Sequence, residues 1–566
     1  QVMEQMPSRG FESSVEPVLN FGTGNMMLLD SIVVRWPNLK EQLLTNIKAD
    51  TTYTLRQQDA QRNFIPPAVQ EKRLFVNITP SAIKGDIQHK ENYYIDFNTD
   101  RLIPKMLSTE GPKLAVGDVN GDGLDDFFMG GAANDTAKLF IQQHDGTFIQ
   151  KPEFAFNQDK DDEDVGAELF DADGDGDLDL VVVSGGNQQR EGSLNLLARL
   201  YINDGKGAFA RAFTGWPPVS VNASCVRACD FDGDGNIDLF IGGRSIYKSY
   251  GKGPRSFLMK NKGHGVFEDV TATLAPALLN PGMVTDAQWA DIDGDGKKEL
   301  IVVGDWMAVT TYKYLNGEMK KISEVPNSSG WWNCITAVDV DGDGDIDLVA
   351  GNYGLNSKLR SDSSHPAHLY ESDFDKNGQD ECIPTYYKSD GKSYPYFLRS
   401  DMVFQIPALK KKFMRYDAYA GKSIDEIFTD GELKDALVLT ATQPQTCIFY
   451  NDGKGNFSVR PLPAYAQFAP MFGVLADDFN GDGIKDILLG GNFYGLKPEL
   501  GRLDASYGVT LFGTHNKEYN VFPPGESGFF IKGEVRDIKE INTKNGKLVI
   551  VARNNDALQL FKVSGK

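Results

Sequence analysis

The stretch DVNGDGLDD, residues 118–126, sets the reading of the whole chain. Acidic or amide side chains stand at its positions 1, 3, 5 and 9, and glycines at positions 4 and 6. The same spacing returns as DADGDGDLD at 171–179, DFDGDGNID at 230–238, DIDGDGKKE at 291–299, DVDGDGDID at 339–347 and DFNGDGIKD at 478–486. A seventh copy, DFDKNGQDE at 373–381, keeps every acidic or amide position. A short apolar stretch precedes each of the six regular loops. A run of four to six apolar residues follows, as in DLVVVSGG and DILLGG. Such runs bounded by glycine are strand-like, so each loop joins two strands. A second hairpin follows each pair, for example RLYINDGKGAFAR and CIFYNDGKGNFSV, with Asn-Asp-Gly at the turn. Four strands per unit, repeated around the chain, predict an all-β fold and a β-propeller.

Unit counting gives eight blades, with seven as the alternative. Six units carry the regular loop. One at 434–457 lacks it, and the last, 535–561, keeps three strands. The fourth strand of that last unit is expected from NYYIDF at 92–97, which would close the ring and remove its open edges. The propeller is expected over 92–566, with a long insertion at 386–426.

Composition narrows the function classes. The 566 residues carry a net charge of −21, which argues against a nucleic-acid binder. No apolar run reaches the length of a membrane helix. The five cysteines form neither a disulfide framework nor a CxxC metal site and are expected as buried small side chains. Gln1 at the start is read as a sign of a processed product or a fragment.

The loops suit a hard cation. Calcium takes six to eight oxygens at flexible distances. The expected ligands are Asp118, Asn120, Asp122, the Leu124 carbonyl and Asp126 in the first loop, and Asp171, Asp173, Asp175, Asp177 and Asp179 in the second. The third and fourth loops offer Asp230, Asp232, Asp234, Asn236 and Asp238, then Asp291, Asp293, Asp295, Lys297 and Glu299. The remaining three offer Asp339, Asp341, Asp343, Asp345 and Asp347; Asp373, Asp375, Asn377, Gln379 and Glu381; and Asp478, Asn480, Asp482, Ile484 and Asp486. The position-7 residue of each set contributes its backbone carbonyl. Plain Asx turns could explain one such loop but not seven with acids at the same offsets. An EF-hand needs a Glu at the twelfth loop residue; here those residues are Met129, Val182, Ile241, Val302, Ala350, Pro384 and Leu489. Six to seven structural calcium ions are therefore expected. Seven would bring the net charge from −21 to −7.

These units resemble the FG-GAP/VCBS repeats of integrin α-subunit propellers. The first 60 residues are similar to the ASPIC/UnbV module in NFGTG at 20–24 and DSIVVRWP at 30–37, with the start of that module missing. Its SIVVRW and TTYTL segments suggest a small β domain, and 61–91 reads as a linker or strap. The resemblance implies a bacterial surface or outer-membrane setting.

In propellers the strand 1–2 and 3–4 turns share one face, and the strand 2–3 loops and blade links share the other. The acidic loops, including 373–381, are expected on the first face. The second face would collect Trp216, Trp331, Trp332, Tyr353, Tyr465, Phe493 and Tyr494 with Arg244, Arg360 and Arg502, a composition suited to glycan or protein recognition. One of Trp331 and Trp332 is expected to face the central opening or solvent. The insertion adds a basic patch, Lys410, Lys411, Lys412 and Arg415. Three functions follow as expectations: a non-enzymatic calcium-stabilised binding scaffold; a polysaccharide lyase using Tyr353, Tyr494, Arg502, His365 and His368; or an accessory subunit of an outer-membrane assembly.

Overall fold

The computed structural model describes residues 3–6, 13–64 and 73–564. The chain divides into two compact units, Gln1–Glu71 and Lys72–Lys566.

In the first unit, strand Leu28–Arg35 pairs antiparallel with Lys40–Lys48, and Arg62–Asn63 adds a third short strand. SIVVRW is a strand as expected. TTYTL is not; its partner is KEQLLTNIK, because a tight turn at 36–39 with Leu39 at φ 60° folds the chain back immediately. Arg35 lies 4.2 Å over the Phe64 ring. Part of the expected strap, residues 65–72, lies outside the described residues, as do residues 7–12 ahead of the first strand.

The ring of the second unit is built from seven sheets, here blades 1 to 7, each with four antiparallel strands; blade 1 adds Ile83–Lys84, parallel to its outer strand, and blade 4 adds Gly330–Trp331. Their first strands are Leu114–Gly117, Asp164–Phe170, Ala223–Cys229, Met283–Ala290, Cys334–Val338, Met471–Asp477 and Glu534–Thr543. Each packs against the next, and the seventh packs back onto the first. A cavity of about 160 Å³ on the ring axis is lined by residues of all seven strands. Lys113, Arg227 and Lys539 face it, as do Glu168, Asp286 and Asp537. Opposite charges balance there, and Arg227 bonds to Asp286 and lies 3.7 Å from Glu168.

The ring therefore corrects the expected eight blades to seven. The eighth sheet exists, but outside the circuit. After the second strand of blade 5, Asp347–Gly351, the chain leaves the ring and returns only at Cys447–Asn451, which pairs with Asp347–Gly351 to complete the blade. Residues 352–446 between them form a separate sheet in the order Ser393–Pro395, Glu381–Tyr387, Ala367–Ser372 and Leu437–Ala441, with five short helices. The unit read at 434–457 is thus two halves of different sheets. The insertion is longer than the expected 386–426. Its basic segment, ALKKKFMRYDAYA at 408–420, forms the short helices Leu409–Lys412 and Tyr416–Tyr419, with Lys410, Lys411, Lys412 and Arg415 exposed and Phe413 buried between them.

Ring closure also differs from expectation. Blade 7 takes its fourth strand from Phe75–Asn77, which pairs antiparallel with Gln559–Val563. Residues 92–97 instead run as coil into a 3-10 turn. Phe75 supplies the apolar anchor, packing on Phe479 and Phe529.

The blades are locked together by amide side chains at the end of strand 3. Asn203 donates from Nδ2 to the Val119 carbonyl of blade 1 and the Leu178 carbonyl of its own blade. Asn261 does the same to Ala172 and Ile237, and Asn451 to Ile292 and Ile346. Gln142 joins blade 1 to blade 7 through Asp125 and Asn542. Because Asn451 reaches back to blade 4, blades 4 and 5 are direct neighbours with no sheet between them. Asn261→Ala strands two carbonyls beside a buried cavity. We expect it to cost about 1–3 kcal/mol, read as a lower urea midpoint at unchanged slope.

Candidate metal centres and the covered face

Each regular loop is a turn wound around its first carboxylate. Both oxygens of Asp118, Asp171, Asp230, Asp291, Asp339 and Asp478 accept from the N–H groups of loop positions 4 and 6, at 2.7–3.1 Å. Those positions are glycine because the backbone there has positive φ, for example 74° at Gly121 and 80° at Gly123. The ninth residue ties the loop to the blade. One oxygen of Asp126, Asp179, Asp238, Glu299, Asp347, Glu381 and Asp486 accepts from the position-2 N–H at 2.9–3.3 Å. In five loops the other oxygen accepts from a strand 3 N–H at 2.7–3.1 Å.

Within this frame the acids crowd together. Oxygens of Asp171, Asp173 and Asp179 lie within 4.8 Å of one another, as do those of Asp230, Asp232 and Asp234. The same holds for Asp291, Asp293 and Asp295, for Asp339, Asp341 and Asp347, and for Asp373, Asp375 and Glu381. In the other two loops Asn120 and Asn480 stand at position 3, and acids remain at positions 1, 5 and 9. Glu381 Oε1, in a loop that no lysine of strand 3 enters, is buried and accepts no hydrogen bond, like Asp232 Oδ1 and Asp293 Oδ1. Burial, reinforced by the neighbouring acids, pushes the position-9 carboxyls up: to about 7 at Asp126, Asp238 and Glu381, and to about 6 at Asp179, Asp347 and Asp486. Converging carboxylates with buried oxygens lacking a donor fit a hard divalent cation. Positions 1, 3, 5 and 9 would hold it.

The seventh loop, 373–381, joins two strands of the inserted sheet and is not a strand 3–4 turn of the ring as expected. The insertion itself emerges from the strand 2–3 connection of blade 5, on the face opposite the other six loops.

That opposite face was expected to be the recognition surface, and the insertion covers it. Trp331 and Phe493 from the ring share one core with Tyr353, Tyr396, Phe397, Met402 and Phe413 of the insertion. Leu102, Ile103 and Leu107, which lead into blade 1, join them. Trp331 and Trp332 are 2% and 0% exposed, so neither faces solvent. Trp331 stacks edge-on to Trp306 at 5.0 Å, and Trp332 on Phe449 at 5.4 Å. Arg244 is buried as well: it binds Glu110 at 3.0 Å and Asp305 at 2.7 Å. Trp216 is half-buried against Phe267 and donates from Nε1 to the Ala198 carbonyl. Trp331→Ala opens a large hole under the insertion and is expected to cost about 3–5 kcal/mol, seen as a lowered melting temperature.

The exposed members of the set lie at the rim. Arg502 sits 4.6 Å over the Tyr494 ring, Tyr465 packs on Phe468 at 5.2 Å, and Arg360 is exposed. A pair not singled out in the sequence joins them: Tyr507 and Phe530 stack at 5.3 Å and 8°, 49% and 43% exposed. The lyase candidates fall into separate groups. His365 and His368 flank Tyr387 at 5.6 and 6.4 Å, Tyr494 pairs with Arg502, and Tyr353 is enclosed by Trp331.

Comparison with known families agrees with the repeat. The FG-GAP-like repeat model matches 118–182, 171–241 and 291–350. The chain carries FG-GAP-like repeats. The ASPIC and UnbV model matches residues 1–62 ahead of them. Among curated proteins no match was found. Of solved structures, the FG-GAP-repeat chain is similar to the Vibrio cholerae biofilm matrix protein Bap1, at 13% identity over 85% of this chain and 91% of Bap1, TM-score 0.32. It is also similar to the rhamnogalacturonan lyase YesW, at 12% identity over 81% of this chain and 72% of that one, TM-score 0.34. YCF48 bound to D1 peptide aligns at 7% identity over 84% of this chain and 99% of that one, TM-score 0.38. Among the described residues no helix is long and apolar enough to cross a membrane.

Proposed function

We propose that this protein is a calcium-stabilised binding scaffold that works outside the cytoplasm, at a bacterial surface. The observation that carries this reading is the set of seven loops in which acids converge on one point, five of them with three acidic oxygens within 4.8 Å. Calcium modules of moderate affinity, about 10⁻⁴–10⁻³ M, suit a calcium-rich exterior. The ring would be a rigid frame, with recognition at its rim. There, flat exposed rings at Tyr507 and Phe530 offer an apolar platform of the kind sugar rings settle on.

Retention of the calcium-loaded chain on immobilised polysaccharides tests the glycan arm. Retention lost in Tyr507→Ala with Phe530→Ala, at unchanged melting temperature, supports it; retention unaffected by both changes rules this platform out. If no polymer retains the chain, the partner is a protein, and an outer-membrane assembly is the next place to look.

A second reading, polysaccharide cleavage, draws on the grouping of His365, His368 and Tyr387. Burial lowers the His368 pKa, which favours the neutral imidazole a general base needs. Shortening of a polymer by the wild type but not by His368→Gln would select it.

A further inference from the structure

Two of the seven acidic loops already contain a cation of their own. The residue of strand 3 that stands opposite the ninth loop position is Ile141, Ile202, Lys260, Lys313, Tyr450 and Phe512 in blades 1 to 6. Only blades 3 and 4 have a basic residue there. The Lys260 ammonium contacts Asp232 and lies 3.0 Å from Asp234 Oδ2. Lys313 Nζ lies 2.5 Å from Asp293, 2.9 Å from Asp295 and 2.7 Å from Glu299. The lysine side chains are only 17% and 8% exposed, so each ammonium is held inside its loop. No ion pair reaches the acids of loops 118–126 and 171–179 among the described residues. Lys517 does approach Asp341 and Asp343, but from a hairpin turn of blade 6 with 45% of its side chain exposed, free to withdraw into water.

We propose that Lys260 and Lys313 are built-in occupants of the blade 3 and blade 4 loops, holding the place that calcium takes in the others. The ring would then load calcium unevenly. Loops 118–126, 171–179, 339–347, 373–381 and 478–486 are open. The other two are closed by an ammonium that neutralises one of four negative charges. A dication must displace a largely enclosed ammonium with several carboxylate partners to enter there, whereas in blades 1 and 2 it meets an isoleucine. This inference rests on the calcium reading above.

Equilibrium dialysis of the full chain against radioactive calcium tests it. The wild type is expected to bind five ions at saturating calcium. Lys260→Ile and Lys313→Ile, copying Ile141 and Ile202, should each gain one, and the double variant two. Melting in excess chelator gives a second readout. Each variant should lose more stability on chelation than the wild type, because removing the lysine leaves the acids unpaired until calcium returns. Lys260→Met and Lys313→Met preserve side-chain length and replace any isoleucine variant that fails to fold. If the wild type binds calcium and no variant gains an ion, the lysine assignment is wrong while the calcium reading stands. Seven equivalent ions in the wild type overturn it in the same way. No bound calcium in any form overturns both.

Discussion

Excess chelator at neutral pH should lower the melting temperature of the full chain by roughly 15 °C or more, and calcium should restore it. An ion that binds only the folded state contributes RT ln(1 + [L]/Kd), about 2.7 kcal/mol per site at a hundredfold excess over Kd. Several open loops acting together make this one of the two largest effects expected here. The loops are not loose without the ion: the position-1 and position-9 carboxylates keep their backbone hydrogen bonds. What the ion removes is the crowding of acids around them. The effect has a pH signature. In the calcium-free protein, burial holds the carboxyls of Asp126, Asp179, Asp238, Asp347 and Asp486 at about 6 to 7, above their unfolded values near 4. A raised folded pKa contributes stability that is fully present below the unfolded pKa and lost as pH rises through the folded one. The chelated protein should therefore melt progressively lower between pH 5 and 8. With saturating calcium the same interval should be flat or rising, since the cation binds the ionised form. A chelated melting temperature that does not respond to calcium at any pH in this range counts against structural ions.

The second large effect is expected at Asp305, which no loop motif marks. It is fully buried where blade 4 meets the covering segments, and it accepts from Lys105 at 3.0 Å, Arg244 at 2.7 Å and the Tyr250 hydroxyl at 3.1 Å. Burial raises its pKa, but the Arg244 and Lys105 charges overcome this and hold the carboxyl below its ordinary value. The same burial lowers Lys105. Asp305→Ala leaves an ammonium and a guanidinium buried with too little negative charge. Removing one member of a buried pair costs about 3–5 kcal/mol, largely from the charge left behind. Asp305→Ala should lower the melting temperature markedly, and Asp305→Ala with Lys105→Met should recover part of the loss. If the double variant is no more stable than the single one, the stranded Lys105 charge is not the cause.

Legibility of the sequence followed the range of the interactions. The acid spacing of 118–126 and its copies, the glycines between them and the alternating hairpins are local features, set by turn geometry within nine residues. They identify strands and loops, and they motivate the proposed class of cation, without reference to the rest of the chain. The Asn-Asp-Gly turns were equally visible as hairpins. The role of Asn203, Asn261 and Asn451 as bolts between blades was not, because their second acceptor lies in the preceding blade. Lys260 and Lys313 were ordinary strand residues until the register placed them opposite the ninth ligand.

The repeat by itself thus determined an all-β propeller built on acidic loops, because each unit encodes its own turns. Three matters waited for tertiary structure. Seven sheets close rather than eight, since residues 352–446 leave blade 5 between its second and third strands and Phe75–Asn77 completes blade 7. Trp331 and Tyr353 are core rather than surface, since ring and insertion pack around them; Trp332 is held between blades 4 and 5, and Arg244 is enclosed by Glu110 and Asp305. Loops of nearly identical sequence differ in charge environment, since a lysine of strand 3 enters two of them. All three depend on which segments far apart in the chain come into contact, and the periodicity of a repeat carries no record of that.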